Sequence, residues 1–291
     1  MEAIVEADMG VDMKLSGRRN AIISIDVYFH FTWATAVFAQ ENPAFDASYA
    51  AWDALLKKHV KWLPDNRQSR VSYAGFAADR AALDAVLASW SAVPKATFNS
   101  WSRPEQMAFL VNAYNGFTIA LVLSRYPQLK SIKDVGTVLQ SAWKKTFFML
   151  LGEERHLDWI EHEQLRPRYA DWRLHAAMVC ASVGCPALRP EAYTAPRLSA
   201  QLDDGFARFM ADRTRNRFAD GQLQVSAIFK WFKQDFEKDY PGSSGVKQLA
   251  DVFAKYADVL ADTPADREKL RSKNSEVVYL DYDWSLNDAE R

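Results

Sequence analysis

Both cysteines of the chain lie in one short stretch, at Cys180 and Cys185, with four residues between them. In an oxidising compartment, such a close pair is expected to form a small disulfide that pins the intervening turn. Alternatively, one sulfur is a nucleophile, which requires a neighbouring imidazole or a helix N-terminus to stabilise the thiolate. The spacing alone leaves both interpretations open, a structural disulfide or a reactive thiol.

Two histidines and one glutamate are the candidates for proton transfer to and from such a thiol. Glu161 and His162 are adjacent on a predicted short helix, residues 159–165, so their side chains point to different faces and do not pair directly. His175 lies five residues before Cys180. We expect His162 or His175 to accept the proton and Glu161 to orient that base, although either histidine can instead be a buried structural group.

Two asparagines one helical turn apart, Asn112 and Asn115, can direct their amides to the same place inside the protein. Buried amides are costly unless their groups find hydrogen-bond partners. One interpretation is therefore that these side chains tie neighbouring loops down. The other is that an amide stabilises the oxyanion of an acyl-transfer reaction.

Aromatic residues are abundant, with ten tryptophans, and several of them can line a groove for a peptide-like or small-molecule ligand. Most tryptophans simply fill cores, so the groove is one of two interpretations. The candidate substrate-binding residues are Trp143, Lys144, Ser182, Trp231 and Trp284.

A metal site is the weaker alternative for this chemistry. His175, Cys180 and Cys185 can supply three ligands, but their spacings match no zinc pattern. Thiolate zinc sites are also unusual in an oxidising compartment. We therefore expect no metal and no cofactor.

A long buried helix is expected to position the two asparagines. Pro104 opens a segment whose uncharged run spans residues 107–124, which is long enough to consider as a membrane span. Asn112, Asn115 and Thr118 lie in the middle of that run, and such polar content favours a helix buried inside the domain.

The remaining elements follow from periodicity and from turn residues. Helical spacing predicts helices at residues 45–62, 77–90, 196–210, 228–236, 246–256 and 265–270. Alternation and turn signals predict strands at residues 71–76, 147–151, 155–157 and 277–282, with a hairpin at 216–225. Residues 174–181 fit a strand and a helix equally well. This order predicts a helix-rich α+β single domain around a small, mainly antiparallel sheet.

Several short motifs stand out when they are taken together. They are Asn-Ala-Tyr-Asn at 112–115, Ile-Glu-His at 160–162, the stretch 175–186, Ser-Ala-Ile-Phe-Lys-Trp at 226–231, and Asp235-Phe236. This combination resembles the domain-of-unknown-function 547 family, from about Phe45 to about Asn287. The family has no established reaction, so the resemblance implies no activity. If one cysteine is a nucleophile, the resemblance favours Cys180, because eukaryotic forms of the stretch 175–186 can lack the second cysteine.

The first forty residues differ from the rest and predict an export signal. If translation begins at Met13, the basic pair Arg18 and Arg19 precedes a mostly apolar stretch, residues 21–38, with a cleavage site after Ala39. The alternative is a membrane anchor that stays attached. We expect an exported protein, periplasmic or extracellular.

The rest of the chain, residues 40–291, is expected to be one domain after a leader of residues 1–39. With 49% apolar residues it can bury a full core, and no stable membrane span is expected in it. The 36 basic and 37 acidic residues nearly cancel, without a basic block, which excludes nucleic acid as an expected partner.

The function that these residues predict is a thiol-dependent hydrolase or acyl transferase, acting on an amide or peptide-like bond outside the cytoplasm. The alternative is a non-catalytic binding or envelope-assembly module, in which Cys180 and Cys185 form a structural disulfide.

Overall fold

The structure, a computed structural model, describes residues 45–137, 140–237 and 246–291. The expected export signal, residues 1–39, and its cleavage site after Ala39 lie outside the described residues.

Helices dominate the described residues. The α-helices are α1 (Ala50–His59), α2 (Tyr73–Ala78), α3 (Arg80–Ser91), α4 (Lys95–Ser100), α5 (Arg103–Leu123), α6 (Arg166–Tyr169), α7 (Leu198–Ala211), α8 (Ile228–Trp231), α9 (Lys233–Phe236), α10 (Leu249–Lys255), α11 (Ala257–Leu260) and α12 (Pro264–Arg271). A π-helical turn spans Trp159–Leu165. Short 3-10 turns span Ile132–Val135, Ala142–Lys144, Trp172–Ala176 and Ala195–Arg197.

Helix α5 is the central element. It begins after Ser102, whose backbone N–H donates to the Glu105 carboxylate at 2.7 Å, as in a capping box. By length and composition it is the one helix among the described residues that could cross a membrane, yet 89% of its most apolar window is buried inside the protein. A helix that is apolar on all sides fits the middle of a core, where α2, α3 and the π-helical turn pack against it.

Two apolar clusters surround the segment that carries the cysteines. The first is built largely on α1, α3 and α5 and includes Trp52, Trp90 and Phe109. The second is built on α7 to α12 and includes Phe206 and Phe229. Residues 172–179 contribute to both clusters, so this stretch is held from two sides.

The strands form three small sheets among the described residues. They are β1 (Val60–Trp62) with β2 (Ser69–Val71), β3 (Phe148–Leu150) with β4 (Glu153–Arg155), and β5 (Arg217–Ala219) with β6 (Gln222–Ser226) and β7 (Val277–Leu280). Most pairs are antiparallel, but β6 and β7 are parallel, with Leu223 opposite Val277 and Ser226 opposite Leu280. This pairing brings the C-terminal segment alongside the start of α8.

The helix-rich α+β class predicted from the sequence is confirmed, while the strands are divided among three sheets and do not form one. The hairpin tip is also confirmed, since Asp220 and Gly221 have the positive φ angles, 55° and 77°, of a type I′ turn. The predicted strand at residues 71–76 is wrong beyond Val71. There the Ser72 hydroxyl accepts a hydrogen bond from the Gly75 N–H and so begins helix α2.

Candidate functional site

A cavity of about 180 Å³ brings distant parts of the chain together. Its walls come from the π-helical turn, from the segment around the cysteines, from α8 and its end, and from the C-terminal segment. The lining residues include the polar side chains of Asp158, Glu161, His162 and His175, both cysteines, and the rings of Tyr114, Trp143, Trp231, Phe232, Tyr282 and Trp284. The predicted sulfur, imidazole and carboxyl groups therefore meet at one opening.

The two cysteines form a disulfide in this structure, with their Cα atoms 6.2 Å apart. Cys185 is buried, while Cys180 is partly exposed. The Cys180 N–H donates to the Cys185 sulfur at 2.9 Å, and the Tyr282 hydroxyl lies 3.1 Å from the Cys180 sulfur. This structure therefore corresponds to the structural disulfide, one of the two interpretations drawn from the spacing. The oxidised pair contains no thiolate.

The C-terminal segment fixes the turn that holds this disulfide. The Val183 N–H donates to the Ser285 carbonyl and the Gly184 N–H donates to the Asp283 carbonyl, both at 2.8 Å. A Cβ at Gly184 would lie 3.0 Å from that carbonyl of Asp283, so only glycine fits without a shift. The close approach of the two backbones places Tyr282 beside Cys180.

His175 is held by a carboxylate that the sequence analysis did not assign. Its Nε2 lies 2.8 Å from Oδ2 of Asp235, and its ring stacks on Phe232 with centroids 4.2 Å apart. Burial lowers the pKa of His175, and Asp235 offsets this only in part. A neutral imidazole that donates its Nε2–H to Asp235 keeps Nδ1 as a proton acceptor.

Arg166 links the two histidines through Asp235. Its Nε donates to Asp235 Oδ2 at 2.6 Å, and its Nη1 lies 2.7 Å from Nδ1 of His162. Burial raises the pKa of Asp235. The hydrogen bonds from His175 and Arg166 outweigh this effect and hold that pKa well below its usual range. Because Arg166 can only donate, His162 presents an unprotonated Nδ1, and burial lowers the pKa of His162 as well.

Glu161 contacts a different group from the one that the sequence predicts. It was expected to orient the base, but in the described structure Asp235 contacts His175 and the hydrogen-bond partner of Glu161 is the Tyr114 hydroxyl. Burial raises the pKa of Glu161 to about 7, and the Tyr114 hydroxyl and Arg166 lower it only in part. A carboxyl group that titrates near neutrality can donate and accept protons at physiological pH.

The acid and the histidine that line the cavity side by side lie on the π-helical turn. The Arg166 N–H bonds to the Glu161 carbonyl, five residues back, so the turn holds one residue more than an α-helical turn. Adjacent residues on a regular helix point to different faces, yet Glu161 and His162 both line the cavity.

The two asparagines hold backbone segments, the first of the two interpretations given above. Asn112 Nδ2 donates to the Tyr193 carbonyl at 2.8 Å, and its Oδ1 accepts from the Tyr193 N–H at 3.0 Å. Asn115 makes the same kind of pair with the Ala177 carbonyl and the Val179 N–H, each at 2.9 Å. Neither amide lines the cavity, so the expected oxyanion role does not fit this geometry.

Replacing Asn115 by alanine is expected to lower the free energy of unfolding by about 2–3 kcal/mol, because a buried carbonyl and a buried N–H lose their partners. Urea denaturation followed by tryptophan fluorescence measures this loss. The matched control is Asn99→Ala on the exposed end of α4, which we expect to change stability by less than about 0.5 kcal/mol. Equal stability of both variants would contradict the proposed tie between α5 and residues 177–179.

The predicted substrate-binding residues divide into two groups. Trp143, Trp231 and Trp284 line the cavity. Lys144 is exposed and Ser182 is buried opposite Leu286 in an isolated bridge, and neither lines the cavity. The described residues contain no group of three or more histidine, cysteine, aspartate or glutamate side chains arranged to hold a metal ion.

The described fold is thus a helix-rich α+β domain with a polar and aromatic cavity at the meeting point of its motifs. Residues 98–210 match the model of a family described as "Protein of unknown function, DUF547". This segment, which is similar to that family, carries both cysteines, both cavity histidines and Glu161. Comparison with curated proteins and with solved structures finds no match.

Proposed function

We propose that the cavity is the active site of a hydrolase or acyl transferase for an amide or peptide-like bond, with the Cys180 thiolate as its nucleophile. One observation carries the proposal. The Cys180 sulfur and the imidazole of His175, held by Asp235, line the same cavity. This is the set of groups, nucleophile, base and orienting carboxylate, that covalent acyl transfer requires.

The nucleophile forms only after the disulfide is reduced. Two equivalents of a thiol convert the Cys180–Cys185 bond into two thiols and are themselves oxidised to one disulfide. The attack of the first thiol falls on Cys180, the more exposed sulfur. The Cys185 sulfur then leaves as a thiolate that accepts the hydrogen bond from the Cys180 N–H.

In the reaction itself, Nδ1 of His175 accepts the proton of the Cys180 thiol while the sulfur attacks the carbonyl carbon. The tetrahedral intermediate collapses to a thioester, and the proton on Nδ1 passes to the departing amine. Water or a second amine then attacks the thioester, gives its proton to His175, and releases Cys180. Glu161 is placed to exchange protons with groups in the cavity at neutral pH.

The test uses a Cys185→Ala variant, which leaves Cys180 as a single thiol that cannot form the disulfide. We expect iodoacetamide to label it with a pH midpoint about 1–2 units below the ordinary cysteine value of about 8.5, and p-nitrophenyl acetate to leave an acetyl adduct. Adding His175→Gln is expected to slow labelling at pH 6 by about tenfold or more. The readout is intact and peptide mass spectrometry.

His156→Gln is the matched control, because His156 accepts a bond from the Trp159 N–H and does not line the cavity. It is expected to leave the labelling profile unchanged. An ordinary cysteine profile that is the same with and without His175 would refute the thiolate mechanism. Thermal unfolding of each variant establishes that the proteins compared are folded.

A second candidate function is favoured by the disulfide itself. A binding or envelope-assembly module would use Cys180–Cys185 to fix the turn next to the cavity, and the bond matches the oxidising compartment that export implies. The same labelling series separates the two functions. A binding module shows no acetyl adduct after its disulfide is reduced, and its labelling profile does not depend on His175.

A further inference from the structure

We propose that the cavity recognises the positively charged ammonium group of its ligand, between the aromatic side chains at the opening and the carboxylate of Asp158. The proposal names the substrate class of the site described above, and it rests on the proposed function only in treating the ligand as a substrate. Binding itself requires neither a thiolate nor an oxidised disulfide.

The first observation is a cluster of aromatic rings from three parts of the chain, which we call the aromatic cluster: Trp143, Trp231, Tyr282 and Trp284. The centroid of Trp284 lies 6.0 Å from Trp143, 5.6 Å from Trp231 and 4.5 Å from Tyr282. All four residues line the cavity, and Trp231 is 47% exposed. Aromatic rings gathered around an opening are the structures that proteins use for quaternary and substituted ammonium groups.

The aromatic cluster already accepts one cation of the protein. The ammonium group of Lys133 lies 4.7 Å from the centroid of the Trp284 ring. Lys133 is not a lining residue, so it uses the ring from outside the cavity. The negative face of an aromatic ring attracts a cation by the same interaction on either side.

The second, independent observation is the sign of the charge in the cavity. No lysine or arginine is among the described residues that line it, whereas Asp158 and Glu161 both are. The ion-pair contact of Asp158 in the described structure is Nε2 of His162, at 3.7 Å. Because Nδ1 of that imidazole accepts a hydrogen bond from Arg166, the ring is neutral and the contact does not neutralise the carboxylate.

The guanidinium of Arg166, which contacts the cavity histidine His162, is already paired with a carboxylate. Arg166 donates to Asp235 at 2.6 Å, and this pair is neutral as a unit. The side chain of Asp158 is only 17% exposed, so solvent screens its charge weakly. A partly buried carboxylate favours a ligand that brings a positive charge. The aromatic walls favour a substituted ammonium group, because ring faces attract a cation without hydrogen bonds.

Choline and its neutral carbon isostere, 3,3-dimethylbutan-1-ol, test the proposal on the full chain. The two have nearly the same shape and differ in charge. Isothermal titration calorimetry and tryptophan fluorescence measure both affinities. We expect choline to bind about tenfold or more tightly than the isostere, as one desolvated cation–π contact implies. Equal affinities for choline and the isostere would overturn the proposal. So would the absence of choline binding, tested at about 50 times the concentration of protein sites and at ~50 mM.

Variants assign the binding to the cavity. Trp231→Leu and Asp158→Asn are each expected to weaken choline binding by about tenfold, because each removes one part of the recognition. The matched control is Trp62→Leu, since Trp62 carries the Arg208 cation on another surface and does not line the cavity. Choline binding that is unaffected by both cavity variants would overturn the proposal.

The outcome is distinguishable from that of the catalytic proposal. The wild-type protein with the Cys180–Cys185 disulfide intact has no thiol and is expected to bind choline. Ammonium binding without any acetyl adduct would retain this inference and remove the thiolate mechanism. Labelling that depends on His175, without selective ammonium binding, would retain the thiolate mechanism and remove this inference.

Discussion

Asp235→Ala is expected to lower the free energy of unfolding by about 3–5 kcal/mol at pH 7, the largest loss that we predict for a single substitution in this chain. Asp235 accepts hydrogen bonds from His175 at 2.8 Å and from Arg166 at 2.6 Å. Its removal leaves the Arg166 guanidinium partly buried without a counter-charge and leaves the buried imidazole without its partner. Urea denaturation of the wild-type and variant proteins measures the difference.

A surface ion pair is the appropriate control for this variant. Asp258 contacts Arg271 at 2.6 Å, but its side chain is 68% exposed, so Asp258→Ala is expected to cost less than about 1 kcal/mol. Asp235→Asn, which keeps the size and one acceptor, is expected to fall between the two alanine variants. A loss below about 1 kcal/mol for Asp235→Ala would show that the carboxylate does not hold His175 in place.

Glu161→Gln is expected to change how stability depends on pH. Burial raises the pKa of Glu161 from its ordinary value of 4.5 to about 7, so the folded protein binds a proton that the unfolded chain releases. This bound proton stabilises the folded protein. The stabilisation is fully present below the pKa of Glu161 in the unfolded chain and is lost as pH rises towards and through 7. A shift of this size corresponds to about 3 kcal/mol between pH 4.5 and pH 8.

The measurement is the difference in unfolding free energy between variant and wild type across this pH range. Titration of His162, His175 and Asp235 occurs in both proteins and largely cancels in the difference. We expect the variant to gain about 3 kcal/mol relative to wild type as pH rises from 4.5 to 8. Glu163→Gln, an exposed residue on the same turn, is the control and should give a flat difference. A flat difference for Glu161→Gln as well would mean that Glu161 titrates like an exposed glutamate.

Much of the fold follows from local sequence signals. The uncharged run after Pro104 predicts helix α5, and the asparagines in its middle favour a helix buried in the domain over a membrane span. Asp220 with Gly221 predicts the hairpin because both adopt positive φ angles. Residues 174–181, which fit strand and helix equally, adopt neither throughout. They continue from a 3-10 turn into an irregular segment held by Asn115.

The site is predicted less completely than the fold. The sequence places Cys180, His175 and Glu161 in one set of candidates because these residue types are the ones that transfer protons and acyl groups, and all of them line the cavity. The role of Asp235 is not visible, because the contact with His175 joins residues 60 positions apart. Its presence in the motif Asp235-Phe236 is the signal that could have identified it.

The parallel pairing of β6 with β7 has a consequence for how the protein can be divided. The segment that matches the family model ends at residue 210, whereas Asp235 and three of the four rings of the aromatic cluster come later in the chain. A protein trimmed to the family boundaries would keep its sulfurs and imidazoles and lose the carboxylate that aligns His175. Any minimal version of this molecule must therefore extend through Trp284, close to the last residue.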